Sequence, residues 1–132
     1  MPPPILGSIY LFVRDLDATM AFYRRLGFEM EFTGDGFARA RTAAGAGLEF
    51  GTAEITRRYD PQWREPAGAS LNTLNFELAS SEAVDALYDD LTTAGYRGHL
   101  APIDAFWGAR FAIVDDPDGN VVGLQGPRAP RA

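Results

Sequence analysis

Two glutamates on strand-like segments could together perform acid–base chemistry. Glu49 lies in the segment GLEFG and Glu77 in TLNFE, each on the side of its strand opposite the large apolar residues. In a semi-apolar cavity, one carboxyl of such a pair can keep its proton at neutral pH and act as a general acid. The alternative, which we prefer, is that each carboxylate pairs with an arginine on a neighbouring strand. The candidate partners are Arg39, Arg41 and Arg110.

Aromatic residues on the same strand faces could stack on a planar ligand. Tyr10 and Phe12 alternate with Ile9, Leu11 and Val13, which already supply an apolar core face. Trp107 precedes a glycine at the start of the strand 110–114 and offers a large flat surface. Packing in the core or between chains is the alternative for each ring.

The chain has few of the residues that most often bind transition metals. The chain has no cysteine and one histidine, His99, for which we expect a surface or hydrogen-bonded role. The segment DDPDGN at 115–120 resembles a calcium loop, but aligning Gly119 with that loop's glycine places Val114 at the first ligand position. We therefore interpret it as a turn with Pro117 at its second position, and we expect no metal and no cofactor.

An internal repeat organises the chain. Strand 8–14 is followed by a helix that begins after Asp15 and ends at Gly27, and strand 73–79 by a helix that begins after the Ser80-Ser81 pair and ends at Gly95. Each half continues with about three more strands. The predicted division is a first βαβββ module at 5–51, a connector at 52–70 and a second βαβββ module at 71–126.

Period two divides the repeated strands into two faces. One face is apolar and should pack under the helices; it carries Ile9, Leu11, Val13, Leu48, Phe50, Leu74, Phe76, Leu78, Val122 and Leu124. The other face mixes small, polar and aromatic residues, as a cavity lining does. It carries Ser8, Tyr10, Phe12, Gly47, Glu49, Gly51, Thr73, Asn75, Glu77, Val121, Gly123 and Gln125.

Length and charge limit the class of protein. A chain of 132 residues with 46% apolar residues fits a single domain, 1–132. The net charge of −6 argues against nucleic acid as a partner, and the chain has no apolar run long enough to span a membrane. We expect a soluble, cytoplasmic protein.

The sequence resembles the vicinal oxygen chelate superfamily of glyoxalases, extradiol dioxygenases and bleomycin resistance proteins. The motifs that carry the resemblance are Val13-Arg14-Asp15-Leu16-Asp17, Ala21-Phe22-Tyr23, Leu26-Gly27-Phe28, Trp107-Gly108-Ala109-Arg110-Phe111 and Asp116-Pro117-Asp118-Gly119-Asn120. The resemblance implies an α+β fold in which two tandem βαβββ modules form a curled mixed sheet around a cavity, with helices on the outer face. It also implies a homodimer.

The chain departs from the metal-using members of that superfamily. Their metal ligands lie on the first and last strands of each module, and the aligned positions here are Ser8, Glu49, Thr73 and Gly123. Two hydroxyls and a glycine are poor substitutes for imidazoles and carboxylates. The resemblance therefore points to a metal-free member similar to the bleomycin resistance proteins.

We predict that the chain sequesters a small organic molecule, with an antibiotic of bleomycin type as one candidate. The predicted ligand-binding residues are Tyr10, Phe12, Glu49, Asn75, Trp107 and Gly123. One alternative is an enzyme of the same fold, either a lyase, isomerase or dioxygenase-like catalyst that uses acid–base residues such as Glu49, or one with a bound cofactor or a non-standard metal site. Another is a non-catalytic partner subunit without a pocket.

Overall fold

A computed structural model describes residues 2–68 and 72–128, and within these ranges it contains three helices and eight strands. They are β1 Ser8–Phe12, α1 Leu16–Leu26, β2 Met30–Phe32, β3 Phe37–Ala40, β4 Gly47–Gly51, α2 Ala53–Tyr59, β5 Thr73–Glu77, α3 Ser81–Thr93, β6 Gly98–Asp104, β7 Ala109–Asp115 and β8 Val121–Pro127. The α+β fold with two βαβββ modules is confirmed. None of the helices in the described part of the chain is long and apolar enough to cross a membrane.

The chain forms two compact units, Met1–Ala67 and Gly68–Ala132. The division falls inside the predicted connector at 52–70, most of which belongs to the first unit. The last two connector residues and residue 71, where the second predicted module begins, lie outside the described residues.

Each unit contains one open, four-stranded mixed sheet. The strand orders are β1-β4-β3-β2 and β5-β8-β7-β6, so the first and last strands of each module are parallel neighbours and the other pairs are antiparallel. The expected curled sheet is thus two separate sheets that do not close. The parallel pairing places Tyr10 opposite Glu49 and Asn75 opposite Gly123, which confirms that these residues share one face in each unit.

The two long helices begin and end where their sequence signals predict. Asp15 accepts a hydrogen bond from the Ala18 amide at 3.1 Å, and Ser80 accepts one from the Ala83 amide at the same distance. Gly27 ends α1 with a φ of 113°, a left-handed conformation that glycine adopts without steric cost.

The core of each unit lies between its long helix and the apolar sheet face. In the first unit this core contains Phe22, Tyr23 and Phe50, and in the second it contains Val84 and Leu124, all fully buried. Some apolar residues on the edge strands are more exposed to solvent than those on the inner strands. Ile9, which was predicted to lie in the core, is 37% exposed because β1 is an edge strand with β4 as its single neighbour.

The predicted connector contains a helix that sequence reasoning missed. Helix α2 spans seven residues, Ala53–Tyr59, too few to establish a 3.6-residue apolar repeat. The prolines and glycine that follow, Pro61, Pro66 and Gly68, favoured an irregular connector over the whole segment.

The segment DDPDGN is the predicted turn. The Gly119 amide donates to the Asp116 carbonyl at 3.0 Å, with Pro117 in the second position. The Asp116 carboxylate accepts hydrogen bonds from the amides of Asp118 and Asn120 at 2.9 and 2.8 Å. Its oxygens therefore hold the turn together.

Candidate functional site

Tyr10 lies on the sheet face of the first unit that is opposite α1, and its hydroxyl has a defined role. Its Oη lies 2.9 Å from Thr56 Oγ1, which donates to the Thr52 carbonyl at 2.8 Å. Because a carbonyl can only accept, the single Thr56 proton is committed to Thr52, and the Tyr10 hydroxyl is the donor to Thr56. Burial raises the pKa of Tyr10 above its ordinary value, which keeps this donor protonated.

Gly51 makes room for the Tyr10 side chain. A Cβ at this glycine would overlap the Tyr10 hydroxyl and would lie 2.9 Å from Ile55 Cγ2. The Tyr10 ring also contacts Phe37, with ring centroids 6.4 Å apart, and Tyr59 at 5.9 Å. The absence of a side chain at Gly51 therefore lets a strand residue reach α2.

Phe12, at the end of β1, and Arg14, two residues after that strand, also contact the chain that follows β4. The Phe12 ring lies 4.7 Å from the Trp63 ring, and the Arg14 guanidinium binds the Glu65 carboxylate at 2.6 Å. Residues 52–65 thus run along β1 through successive contacts. Tyr10 and Phe12, both predicted to bind ligand, thus already have aromatic and hydroxyl neighbours within the unit.

Glu49 is half-buried beside Tyr10, and its negative charge contributes to the raised pKa of that phenol. We find no hydrogen bond or ion pair to its carboxylate among the described residues. Arg39 lies opposite Glu49 in the sheet register, yet its Nε binds Glu31 at 2.7 Å. Arg41 binds Glu31 as well, at 2.6 Å, and these two arginines lower the pKa of Glu31, Arg41 contributing most. The prediction that Glu49 pairs with an arginine is therefore wrong.

On the corresponding face of the second unit, three side chains form a hydrogen-bonded chain. The Trp107 Nε1 donates to Gln125 Oε1 at 2.8 Å, and Gln125 Nε2 donates to Glu77 Oε1 at 2.9 Å. Arg110, the expected partner for such a glutamate, instead binds Asp85 at 2.9 Å and Asp104 at 3.3 Å. The partner of Glu77 is thus a neutral amide.

Gly123 accommodates the amide of Asn75. A Cβ at Gly123 would overlap Asn75 Oδ1 and would lie 3.1 Å from Phe111 Cε1. The Phe111 ring in turn contacts the Trp107 ring, with centroids 5.1 Å apart. The glycine inside strand β8 is therefore explained by close packing of a polar side chain on the sheet face.

The six predicted ligand-binding residues divide between the units. Tyr10, Phe12 and Glu49 share the sheet face of the first unit. Asn75 and Gly123 share that of the second, where Trp107 joins them through Gln125 and Phe111.

Sequence reasoning did not include Gln125, Glu77 and Thr56 among the ligand-binding residues. Gln125 and Glu77 were placed on the correct face, and their pairing follows from the parallel register of β5 and β8. Thr56 gave no signal, because the helix that carries it was not predicted.

The positions aligned with metal ligands are not paired with one another in either sheet. Ser8 lies opposite Gly47 rather than Glu49, and Thr73 lies opposite Val121. Within residues 2–68 and 72–128, no three His, Cys, Asp or Glu side chains gather in a group that could hold a metal ion. His99 binds Asp115 at 2.8 Å on the surface, as expected.

An open groove of about 540 Å³ lies elsewhere in the first unit. Its lining residues are Arg24, Phe28, Glu29, Met30, Glu31 and Arg41. It includes none of the predicted ligand-binding residues, and Arg41 already pairs with Glu29 and Glu31 across it. Its charged groups thus largely satisfy one another.

Residues 5–124 match the Glyoxalase/Bleomycin resistance protein/Dioxygenase superfamily. No protein of curated function matches the chain significantly in sequence. Among solved structures, the chain is similar to a glyoxalase/bleomycin resistance protein/dioxygenase family enzyme from Burkholderia phytofirmans PsJN. Identity is 26% and the TM-score is 0.83, over 94% of this chain and 99% of that one.

Two further structures show the same fold at lower identity. A glyoxalase/bleomycin resistance protein/dioxygenase from Nocardioides is 24% identical, with a TM-score of 0.78 over 99% of this chain and 88% of that one. A lactoylglutathione lyase from Agrobacterium tumefaciens is 21% identical, with a TM-score of 0.71 over 96% of each chain.

Proposed function

Because the chain belongs to the glyoxalase/bleomycin resistance protein/dioxygenase superfamily, we propose that it binds a small organic molecule and holds it without making or breaking bonds. The observation that carries this proposal is the chemistry of the sheet faces opposite the long helices. They present aromatic rings and carboxylates with spare hydrogen-bonding capacity, whereas the four positions aligned with metal ligands supply one carboxylate, Glu49.

Each face offers the two ingredients of a small-molecule site, a flat apolar surface and a few fixed polar groups. Trp107 is half exposed, and its indole nitrogen is already bonded to Gln125, so its ring can stack on a ligand while its orientation is held. On the first face, Glu49 has no partner among the described residues and lies opposite Tyr10. A ligand that donates hydrogen bonds would satisfy Glu49.

An antibiotic of bleomycin type is one candidate ligand, and it comes from the resemblance to bleomycin resistance proteins. Binding by a homodimer is part of the same proposal. Single large apolar side chains remain exposed in each unit, among them Phe32 at 55% and Phe106 at 97%. A partner chain that covered such residues would remove their apolar surface from water.

Glu49 also favours a second candidate function, acid–base catalysis. A carboxylate that pairs with no arginine among the described residues, beside a phenol that stays protonated, could take a proton from a substrate. The lactoylglutathione lyase from Agrobacterium tumefaciens shows that the fold is compatible with an enzyme, although one fold hosts many functions. Chemical change in a bound compound distinguishes this candidate from sequestration.

A thermal-shift screen of the purified protein against antibiotics, metabolites and divalent metals tests the proposal. We expect at least one organic compound to raise the melting temperature with chelator present, since a ligand that binds only the folded state stabilises it. Glu49→Gln should reduce that shift for a compound that binds the first face, and Trp107→Ala for a compound that binds the second. Stabilisation by metal ions alone would contradict the proposal.

A further inference from the structure

The hydrogen-bonded chain on the second face has one possible direction. Trp107 can only donate through its indole nitrogen, and a carboxylate can only accept. Gln125 must therefore turn its carbonyl oxygen toward Trp107 and its amide nitrogen toward Glu77, as the distances of 2.8 and 2.9 Å require. Replacing the amide with a group that lacks either a donor or an acceptor breaks the chain.

Glu77 keeps unused hydrogen-bonding capacity. Its Oε1 accepts from Gln125, and each carboxylate oxygen has two lone pairs, so Oε2 and one lone pair of Oε1 are uncommitted among the described residues. The Glu77 side chain is exposed on the face that also carries the Asn75 amide, two residues earlier on β5. A ligand there meets two acceptor groups along one strand.

We propose that Gln125 is a positioning residue that couples the Glu77 carboxylate to the Trp107 ring, and that the coupled pair binds planar compounds carrying a forked N–H donor, such as an aryl amidine. This inference rests on the proposed function, because it names the ligand class for the second of the two faces.

The geometry fits that class of ligand for three reasons. A carboxylate accepts two parallel N–H bonds from an amidine, which adds direction as well as strength. The Trp107 ring, held by Gln125 and supported by Phe111, can stack on the aryl group. The chain's net charge of −6 favours a cationic ligand over an anionic one.

Benzamidine is the probe, titrated into protein carrying Trp63→Phe so that Trp107 is the single tryptophan. We expect saturable quenching of Trp107 emission. Glu77→Gln should weaken binding by about tenfold or more and Gln125→Met by about threefold to tenfold. Asp89→Asn is the matched control, because it removes one negative charge from the exposed surface of α3, and it should bind benzamidine like the parent.

The indole N–H resonance of Trp107 separates positioning from general destabilisation. Glu77 does not bond to Trp107, so Glu77→Gln can weaken the indole hydrogen bond only through Gln125. We expect Glu77→Gln to move this resonance when Gln125 is present and to leave it unmoved in the Gln125→Met background. Such a double-mutant cycle isolates the coupling between the two residues.

Two results would overturn the inference and leave the proposed function standing. In the first, benzamidine binds, but Gln125→Met retains the parent affinity and Glu77→Gln leaves the indole resonance in place. That result would show that Gln125 is not a positioning residue. In the second, benzamidine fails to bind although the thermal-shift screen yields another ligand. That result would show that aryl amidines are not the ligand class of this face. A screen without any organic ligand would instead reject the proposed function itself.

Discussion

The Tyr10 hydroxyl joins strand β1 to helix α2, and its protonation should affect stability. Tyr10→Phe removes the hydrogen bond to Thr56 and should cost about 1 kcal/mol of unfolding free energy at neutral pH. The folded-state pKa of Tyr10 is raised, so its contribution is fully present below the unfolded pKa of about 10 and is lost as the pH rises through the folded pKa.

Urea unfolding of the parent and of Tyr10→Phe at several pH values from neutral to strongly alkaline measures this effect. The free-energy difference between the two proteins should shrink as the pH rises. Tyr88→Phe is the control, since no hydrogen bond to the Tyr88 hydroxyl is found in the described part of the chain. A difference that stays constant with pH would show that Tyr10 does not act through its proton.

At the scale of single residues, the sequence did not correctly predict which charged groups pair, as Glu49 shows. Period two correctly placed Glu49 on the face opposite the core, and the register makes Arg39, one of its candidate partners, its neighbour. Arg39 also has Glu31 as a neighbour on its other side and binds that carboxylate instead. A strand pattern identifies which residues are close, but it does not decide which of two equivalent carboxylates an arginine will bind.

At the scale of elements, two glycines of strand β8 should respond differently to alanine. A Cβ at Gly126 would meet the backbone of Ser80, where α3 begins, whereas a Cβ at Gly123 would mainly meet the Asn75 side chain. Backbone can yield only if the helix shifts, but the exposed Asn75 amide can rotate away. We expect Gly126→Ala to cost about 1–3 kcal/mol and Gly123→Ala less than about 1 kcal/mol.

Chemical denaturation of both variants checks this difference. Gly7→Ala is a suitable control, because a Cβ there meets no atom within 4 Å. Equal losses in Gly126→Ala and Gly123→Ala would contradict the proposed close approach of α3 to β8.

The elements also differ in how well the sequence predicts them. Helices α1 and α3 follow directly from local chemistry, with Asp15 and Ser80 at their beginnings and Gly27 and Gly95 after their ends. Helix α2 depends on tertiary contacts instead. Its Thr56 and Tyr59 pack on Tyr10, a residue more than forty positions earlier in the chain, and no local pattern contains that information.

For the whole molecule, we expect a homodimer. Large apolar side chains such as Phe32 and Phe106 are exposed in the described part of the chain, and association would remove them from water. Light scattering across micromolar concentrations should return twice the chain mass of 14.4 kDa. A monomer mass throughout that range would be evidence against the dimer.

We also expect that the purified protein holds no stoichiometric transition metal. Of the four positions aligned with metal ligands, only Glu49 supplies a carboxylate, and hydroxyls such as those of Ser8 and Thr73 bind these ions weakly. Elemental analysis after purification without chelator and after dialysis measures the metal content. One zinc, nickel or iron per chain would refute this expectation.

The most direct test of metal-independent sequestration is a calorimetric titration of chelator-treated protein with an organic compound from the thermal-shift screen, followed by mass spectrometry of the recovered compound. The proposed function predicts saturable binding that chelator does not weaken, and a compound recovered unchanged after long incubation. Binding that disappears with chelator and returns with added metal, or a compound recovered in altered form, would contradict it.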